Sequence, residues 1–435
     1  MRIRRIRLSN YRNFKDYSID FGDAVTLFIG KNGMGKTNLL SGLKQSLSFI
    51  FSKRENEPQF KFLASSNQQV KTFSATDARY GEDDALTFDY IYPVEIKAEA
   101  SISTEVNLEW SFRKESKASG LNEYYRGANA QFWTYYMSHF EELPVLAFFS
   151  DSYPHVKTNI GRSMQAMLKS GNPLPRNTAY YKWDEEKNCT ELWMQYFTMQ
   201  WMNNIFHADA EKKKHVDAIV AKVVEFSQPM STEYQANPEL ILKTMNMEKR
   251  GNEFVLVLVF ENGDRIPFAQ LPQGYKRIFS IVFDIANRSY LLNQHCDPSG
   301  IVLIDELELH LHPSIAQEIL SRYTRAFPHL QFIVSTHSPL VITNFKQNDS
   351  NILYKLYKEE TEYKSVRIDD LFGVDYNSGL KYSMDTPERD VRIEQLRDAY
   401  LYWKDAGDER MIMRLKERLA QAIGTENQLY RSLVE

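Results

Sequence analysis

The clearest candidate for a chemical function lies near the start of the chain, in the segment Gly30-Lys31-Asn32-Gly33-Met34-Gly35-Lys36-Thr37. Its spacing fits G-x-x-x-x-G-K-[ST], in which glycines let backbone N–H groups turn onto phosphate oxygens. We expect Lys36 to supply a mobile positive charge for the β- and γ-phosphates and Thr37 a hydroxyl that ligates Mg²⁺. The alternative is an ordinary glycine-rich turn between a strand and a helix. The segment therefore predicts a phosphate-binding loop.

Two further segments place polar side chains directly after apolar runs. Residues 301–304 are apolar and precede Asp305 and Glu306, and the run at 332–336 precedes His337. Continuous apolar runs are typical of parallel strands that are buried on both faces, and open α/β sheets bind ligands at the carboxyl ends of such strands. Phosphoryl transfer needs neutralised phosphate charge and a positioned water, which Lys, Mg²⁺ with an Asp, and one base supply. The structural alternative is that the acids merely end a strand.

The remaining pattern predicts the elements that position these groups. Three strands precede the first helix, which spans about 36–51, and the third of them, residues 24–29, enters the phosphate loop. Polar residues 53–130 predict loops and an antiparallel sheet edge, and 143–149 a buried strand. Residues 254–260 and 265–268 predict a hairpin, followed by a helix to about 292 and by two tail helices broken near Gly407. The arginines of the first strand indicate a solvated face or a nucleic-acid patch.

An aromatic stripe indicates a helical insertion between about 161 and 217. Its apolar residues recur at i, i+3 and i+4 spacing and are Leu192, Trp193, Tyr196, Phe197 and Trp201. Such a stripe is usually core, and a stacking platform for bases is the rarer use. No heptads persist over several turns, so long coiled-coil arms are not expected.

Composition narrows the class of protein. The chain has 435 residues, 43% of them hydrophobic, and a net charge of −4, which argues against a surface coated for indiscriminate nucleic-acid binding. Cys189 and Cys296 lie far apart, so neither a disulfide framework nor a zinc site is indicated. The basic N-terminus has no apolar h-region and no long apolar run follows, so we expect a cytoplasmic protein without a membrane span.

The order of these motifs, together with Tyr11-Arg12-Asn13-Phe14 and Leu271-Pro272-Gln273-Gly274, resembles an ABC-type ATPase head of the RecF/SMC kind. The resemblance implies ATP and Mg²⁺ as cofactors, with Asp305 holding the metal through water, Glu306 polarising the attacking water and His337 sensing the γ-phosphate. It also implies further nucleotide-binding residues, namely Arg12, Asn32, Gly33, Gly35, Lys36, Thr37, Asn38, Gln273 and Gly274. Leu309-His310-Leu311-His312-Pro313 matches the D-loop, a reading we prefer to a metal site because His310 and His312 have no third ligand nearby.

Two departures from the family pattern affect the chemistry. Pro272 occupies the position of the signature serine, so Gln273 and Gly274 still offer backbone N–H groups while the side-chain donor is lost. We therefore expect slow hydrolysis. The Q-loop glutamine is not assigned, since Gln68 and Gln69 have no supporting context.

The resemblance predicts an α/β fold, an ABC-type head with a mixed or parallel sheet flanked by helices, an antiparallel β-subdomain, a helical insertion and a helical tail. The expected divisions are an N-terminal lobe at 1–160, the insertion at 161–230, a C-terminal lobe at 231–346 and a strand and helix tail at 347–435. Because the signature completes the site of another chain in this family, at least a dimer, and a higher homo-oligomer, is implied.

Finer motifs resemble a group of compact ATPases of bacterial antiphage defence, the Septu (PtuA-like) and PARIS (AriA-like) ATPases, some of which accompany retrons. They include Ile304-Asp305-Glu306, Ser335-Thr336-His337-Ser338-Pro339 and Phe372-Gly373-Val374-Asp375-Tyr376-Asn377. Related overcoming-lysogenisation-defect nucleases add a TOPRIM domain, whose acidic motif does not occur after the ATPase region here. The resemblance therefore implies a separate nuclease, of the HNH type in the Septu interpretation and the TOPRIM type in the PARIS interpretation.

Three hypotheses of function follow from these features. The first is an ATP-dependent sensor and scaffold that responds to a phage-encoded trigger and controls the nuclease, with residues from Val374 onward docking the effector or another protomer, or merely covering the sheet. The second is a RecF-like repair ATPase that binds DNA directly. The third is a nucleotide-gated structural module with little turnover.

Overall fold

The structure is a computed structural model of the full chain. It describes residues 1–53, 62–63, 68–82, 88–138, 142–152, 160–170, 172–185, 189–207, 209–230, 241–251, 253–384 and 390–434. Parts of the predicted loops, at 54–61, 64–67 and 83–87, lie outside the described residues. The chain divides into two compact units, Met1–Gly373 and Val374–Glu435.

The strands of the described residues all lie in the first unit. They are β1 (Arg2–Tyr11), β2 (Phe14–Asp20), β3 (Val25–Ile29), β4 (Arg79–Glu82), β5 (Phe88–Ile91), β6 (Val94–Ser101), β7 (Asn107–Lys114), β8 (Val145–Phe149), β9 (Leu242–Arg250), β10 (Glu253–Phe260), β11 (Arg265–Pro267), β12 (Gly300–Ile304), β13 (Leu330–Ser335), β14 (Asn351–Glu359) and β15 (Glu362–Arg367).

The helices fall in both units. Those of the first unit are α1 (Lys36–Leu47), α2 (Arg126–Ser138), α3 (Arg162–Lys169), α4 (Thr190–His207), α5 (Ala210–Ser227), α6 (Gln273–Asn293), α7 (Pro313–Ala326) and α8 (Pro339–Ile342). Those of the second unit are α9 (Tyr376–Met384), α10 (Val391–Ala406), α11 (Glu409–Ile423) and α12 (Gln428–Val434). Among the described residues, no helix is both long and apolar enough to cross a membrane.

A six-stranded mixed sheet positions the predicted chemistry. Its order is β15-β14-β3-β13-β12-β8, in which the five strands from β14 to β8 are parallel and β15 is antiparallel to β14. Every residue of β3, β8, β12 and β13 is buried, as expected for parallel strands covered on both faces. The carboxyl ends of β3, β12 and β13 meet at one edge, which brings the phosphate loop, Asp305 and His337 to the same edge.

A second, antiparallel sheet has the order β2-β1-β6-β7. Its buried face carries Ile6 and Leu8, and Leu8 contacts α1 near Gly42. Its other face exposes Arg5 and Arg7, which pair with Asp20 and Asp16. Residues 53–130 are predicted to form loops and an antiparallel sheet edge; β7 is an edge strand of this sheet, whereas β6 lies inside it between β1 and β7.

The helical insertion packs against the helix that follows the hairpin. Four residues of the aromatic stripe are buried, which confirms the core interpretation for Leu192, Trp193, Tyr196 and Phe197. Trp193 Nε1 donates to Asp284 Oδ2 of α6 at 2.8 Å, and Asp284 in turn pairs with Arg288 in a buried ion pair. The hydrogen bond from Trp193 joins α4 to α6. The ion pair with Arg288 compensates the buried charge of Asp284, which would be strongly destabilising without a partner.

Several predicted elements are confirmed with shifted ends. The three early strands, the strand at β8, the β10–β11 hairpin and the helix α6 are present, and α10 ends at Gly407, whose φ of 73° suits a glycine C-cap. The pattern did not predict β9, which pairs with the whole length of β10, or α2. The division at residue 347 stays a prediction; β14 and β15 extend the main sheet beyond it.

Candidate functional site

The phosphate loop connects β3 to α1 with its glycines in backbone conformations that other residues rarely adopt. Gly35, which precedes α1, has a φ of 93°, and a Cβ there would lie 2.6 Å from Nδ2 of Asn13. Lys36 folds back across the loop, where its ammonium donates to the carbonyl oxygens of Gly30 at 2.8 Å and Lys31 at 3.3 Å. Asn32 and Gly33 are exposed in the same loop. The helix therefore begins at the loop with its N–H groups free to face an anion.

Asp305 joins the loop to the strand ends of the sheet. This buried carboxylate accepts a hydrogen bond from the Thr37 hydroxyl, with 2.7 Å between Oγ1 and Oδ2, and a second one from the Ser335 hydroxyl. Thr37 and Asp305, the two predicted metal ligands, are thus in direct contact. Mg²⁺ prefers hard oxygen ligands, so a hydroxyl and a carboxylate held together are the donor set that this ion requires.

Glu306 lies in a turn immediately after β12. Its φ is 52°, an uncommon conformation for a residue with a side chain, and its N–H donates to Ser335 Oγ at 2.9 Å. Burial, and then the negative charges of Asp305 and Asp151, raise the pKa of the Glu306 carboxyl. A raised carboxyl pKa suits a group that orients a water and accepts its proton.

His337 follows β13 and is held by a residue that sequence reasoning missed. Glu308 accepts hydrogen bonds from the backbone N–H of His337 at 2.5 Å and from the Thr336 hydroxyl at 2.6 Å. Burial, and then the positive charge of Lys36, lower the pKa of the half-buried imidazole, which is therefore neutral at pH 7. The local sequence around Glu308 does not mark this contact, because its partners follow β13, a strand distant in the chain.

Arg277 is a second residue that the motifs did not reveal. This buried guanidinium on α6 donates to the carbonyl oxygens of Asp305 at 2.9 Å, Glu306 at 3.1 Å and Ser150 at 3.0 Å. It therefore ties the helix that begins at the signature segment to the carboxyl ends of β12 and β8. In the sequence, an arginine in such a helix cannot be told from an exposed charged residue. Only the fold shows that backbone carbonyl oxygens accept its hydrogen bonds.

The signature residues lie against the predicted D-loop of their own chain. Pro272 precedes α6, Gln273 is exposed, and a Cβ on Gly274 would lie 2.3 Å from the carbonyl oxygen of His310. Glycine is therefore required there by close backbone approach. His312 accepts from the N–H of Ser314 and caps α7. Throughout the described ranges, no hydrogen bond joins Gln273 or Gly274 to the phosphate loop, so the structure does not bring these two residues together with Lys36.

Arg12 lies beside α1 at the mouth of an open cavity of about 650 Å³. Its guanidinium donates to Asp77 Oδ1 at 3.1 Å and to Asn38 Oδ1 at 3.1 Å, and Asn38 donates to Asn13 at 2.8 Å. The structure thus places Arg12 and Asn38, two predicted nucleotide-binding residues, in contact.

The Q-loop glutamine stays unassigned. Gln68 is buried and Gln69 is exposed, and in the part of the chain that the structure covers neither bonds to Thr37 or Asp305.

The surroundings of Lys36 predict proton uptake when a nucleotide binds. Burial lowers the pKa of Lys36 to about 8, although the carboxylates of Asp305 and Glu306 act in the opposite direction. A bound phosphate raises that pKa again, so at about pH 9 the amine is largely neutral before binding and charged afterwards. We expect ADP binding at about pH 9 to take up close to one proton, and the uptake to fade towards about pH 7.

Calorimetry of ADP binding in two buffers of different ionisation enthalpy measures this uptake. Lys36→Arg is the matched control, because its guanidinium stays charged in this range and its binding should take up no proton. Equal uptake by the two proteins would contradict the assignment of the titrating group to Lys36.

Comparison with known proteins is consistent with this geometry. A profile of the AAA ATPase domain family matches residues 1–144 and 169–342, more than half of the chain. The retron Ec83 probable ATPase of Escherichia coli is 26% identical over 397 residues, spanning 78% of this chain and 69% of that protein. The retron Vc95 probable ATPase of Vibrio cholerae serotype O1 biovar El Tor is 25% identical, spanning 82% of this chain and 74% of that protein.

Shorter or weaker similarities include a Septu protein and an SMC head domain. The Septu protein PtuA of Bacillus mycoides (strain KBAB4) is 40% identical over 92 residues, which is 21% of this chain and 13% of that protein. The SMC head domain from Thermotoga maritima superposes with a TM-score of 0.42 at 12% identity, over 85% of this chain and 100% of that domain. The predicted resemblance to ATPases of bacterial defence systems is confirmed by the retron and Septu relatives. The chain belongs to the AAA ATPase domain family.

Proposed function

We propose that this ATPase is the ATP-binding and ATP-hydrolysing sensor and scaffold subunit of an antiphage defence complex, and that it controls a separate nuclease. The observation that carries the ATPase part is the direct contact of Thr37 and Asp305 beside the Lys36 loop. The retron and Septu names of its relatives support the defence part. We place this activity in the cytoplasm.

We assign the roles of the site residues from the resemblance to ABC-type ATPases and from their positions in the fold. Lys36 stabilises the charge that develops on the β- and γ-phosphates, and Thr37 and Asp305 would hold Mg²⁺, which neutralises phosphate oxygens when it is bound. Glu306 orients the attacking water and accepts its proton. His337, as a neutral imidazole, donates a hydrogen bond to the γ-phosphate. Arg12, Asn32, Gly33, Gly35 and Asn38 bind the rest of the nucleotide.

The sensor function rests on the link that Glu308 makes between the site and the signature surface. Glu308 holds the backbone of His337 and is followed at once by the D-loop residues, whose His310 contacts Gly274. A displacement of His337 by the γ-phosphate would therefore pass to the surface that carries Gln273 and Gly274. In our proposal that surface, with its helix N-terminus, completes the nucleotide site of a second copy, so the active form is a homo-oligomer of at least two chains.

The types of effector and trigger in this proposal follow from the resemblance to defence ATPases. The nuclease is of the HNH or TOPRIM type, and a phage-encoded molecule supplies the trigger. The unit Val374–Glu435 has its own small core around Tyr400, Leu415 and Leu419, and we propose it as the docking element for the effector or for another protomer. Contact with DNA would then be made mainly through the nuclease.

The test of this function is the native mass of the protein co-expressed with its chromosomal neighbours, with ATP and Mg²⁺ present. We expect a large homo-oligomer that carries a nuclease and releases or activates it when phage infects. Glu306→Gln is the matched variant, which should keep the nucleotide and the assembly but lose turnover. A monomer or dimer that retains no nuclease but binds DNA would contradict the proposal and favour direct DNA repair.

Pro272 favours a second candidate, a nucleotide-gated structural module with little turnover. Proline at this position removes the hydroxyl that the family offers to the γ-phosphate, while Gln273 and Gly274 keep their backbone N–H groups. In this candidate, ATP binding alone brings chains together and its hydrolysis is incidental.

Replacement of the proline tests whether the missing hydroxyl at the signature position limits ATP turnover. Serine is a good helix N-cap, so Pro272→Ser should fold normally and restore a donor to the transition state, which raises ATP turnover about tenfold or more. Pro272→Ala is the matched control, which removes the proline without adding a hydroxyl and should leave the rate near that of the wild type. Steady-state phosphate release measures both rates. Equal rates in the two variants would show that the signature position does not limit hydrolysis.

A further inference from the structure

A groove between α4 and β10 lies apart from the nucleotide site. It encloses about 880 Å³ between residues of the helix and the first half of the strand. Methionines dominate its walls, with Met194, Met199 and Met202 on the helix and Met247 on β9. Methionine side chains are flexible and polarizable, and proteins use them on surfaces that adapt to peptides.

One side of β10 is only partly covered by a neighbouring strand. The short strand β11 pairs with residues Val257–Val259 of β10 and ends at Pro267, after which the chain turns into a short 3-10 helix, Phe268–Gln270. The N–H of Phe260 donates to Asp264 across this same side at 2.9 Å. Because backbone groups alternate along a strand, the N–H and C=O groups of Leu256 and Phe254 also face this side.

This edge lies at the wall of the groove, where Phe254 is half-buried and Leu256 is buried. Phe254 and Leu256 line the groove together with Pro267. Among the described residues, none hydrogen-bonds to the backbone of Phe254 or Leu256 on that side. Open strand edges are templates for a further strand, and most proteins block them with charges, bulges or covering segments. Here residues of α4 line the opposite wall of the groove.

The charges of the groove select the kind of segment that fits it. Its two charged lining residues, Glu191 and Glu253, are both acidic, and both are exposed. The other lining side chains are polar or apolar. A segment that alternates basic and apolar residues would place its apolar side chains between the methionines and its basic side chains towards the glutamates.

We propose that this groove binds an extended basic and apolar segment of a partner polypeptide, which adds a strand to the edge of β10 at Phe254 and Leu256. Binding by strand addition obtains affinity from main-chain hydrogen bonds and specificity from alternate side chains. The groove also reaches Ala269, three residues before Pro272, so an occupant lies next to the segment that leads into α6.

The test selects binders from a phage-displayed library of random peptides about ten residues long, using the full chain as bait. Phe254→Pro is the decisive variant. Its missing N–H is the one that points away from β9, so the β9–β10 ladder keeps its hydrogen bonds. Phe254→Leu is the matched control, which loses the same ring contact with Trp201 but keeps the N–H.

We expect the selected peptides to be basic and alternating, and to bind Phe254→Pro about tenfold more weakly than Phe254→Leu. Synthetic copies with N-methyl groups on alternate amides provide a second measurement on the wild-type protein, and methylation of the amides that face β10 should abolish binding. Amide exchange at Phe254 and Leu256 should slow when the peptide binds. The proposal is overturned if selection yields no peptides that this pair of variants distinguishes, or if N-methylated peptides bind as tightly as their parents.

Discussion

The hydrogen bond between the Thr37 hydroxyl and the Asp305 carboxylate is the contact on which the nucleotide site depends. It joins the first turn of α1 to the end of β12, two elements that lie 268 residues apart in the chain. The Ser335 hydroxyl at the end of β13 holds the second oxygen of the same carboxylate. A buried carboxylate needs such donors, because an ionised group without them would be strongly destabilised. The parallel register of β12 and β13 places Ser335 beside Asp305, and the phosphate loop after β3 places Thr37 there.

Hydrogen bonds near Asp305 connect the end of β12 to residues of the signature helix and to His337. Arg277 holds the main chain of Asp305 and Glu306 and belongs to the helix that begins at Gln273. Glu308 holds the main chain of His337. The signature helix, the D-loop and the histidine are therefore connected to one strand end by hydrogen bonds of buried or half-buried groups. Such a network has few alternative arrangements, which suits the transmission of nucleotide occupancy to another chain that we propose.

Sequence patterns predicted the parts of this site that depend on local spacing. The phosphate loop, Asp305 with Glu306 and His337 all follow apolar strands directly, and the structure brings them to one sheet edge. Glu308, Arg277 and Ser335 were missed because their functional contacts join residues far apart in the chain, and nothing in their local pattern marks them. The same holds for β9 and for the open edge of β10, because the sequence of one strand does not show which strand pairs with it. The insertion was predictable because four residues of one helical face are buried in its core.

We propose that the nucleotide site is built from two chains, with Lys36 from one chain and Gln273 from the other. Co-expression of two inactive variants measures this most directly. Lys36→Ala removes the phosphate contact, and Gln273→Glu places a negative charge where the triphosphate of the other chain would lie, at a helix start that tolerates an acid. We expect each variant alone to hydrolyse almost no ATP. Their mixed assembly should regain activity, because one nucleotide site of the mixed assembly carries neither change. Full activity of Gln273→Glu alone, or a mixed assembly as inactive as its parts, would contradict it.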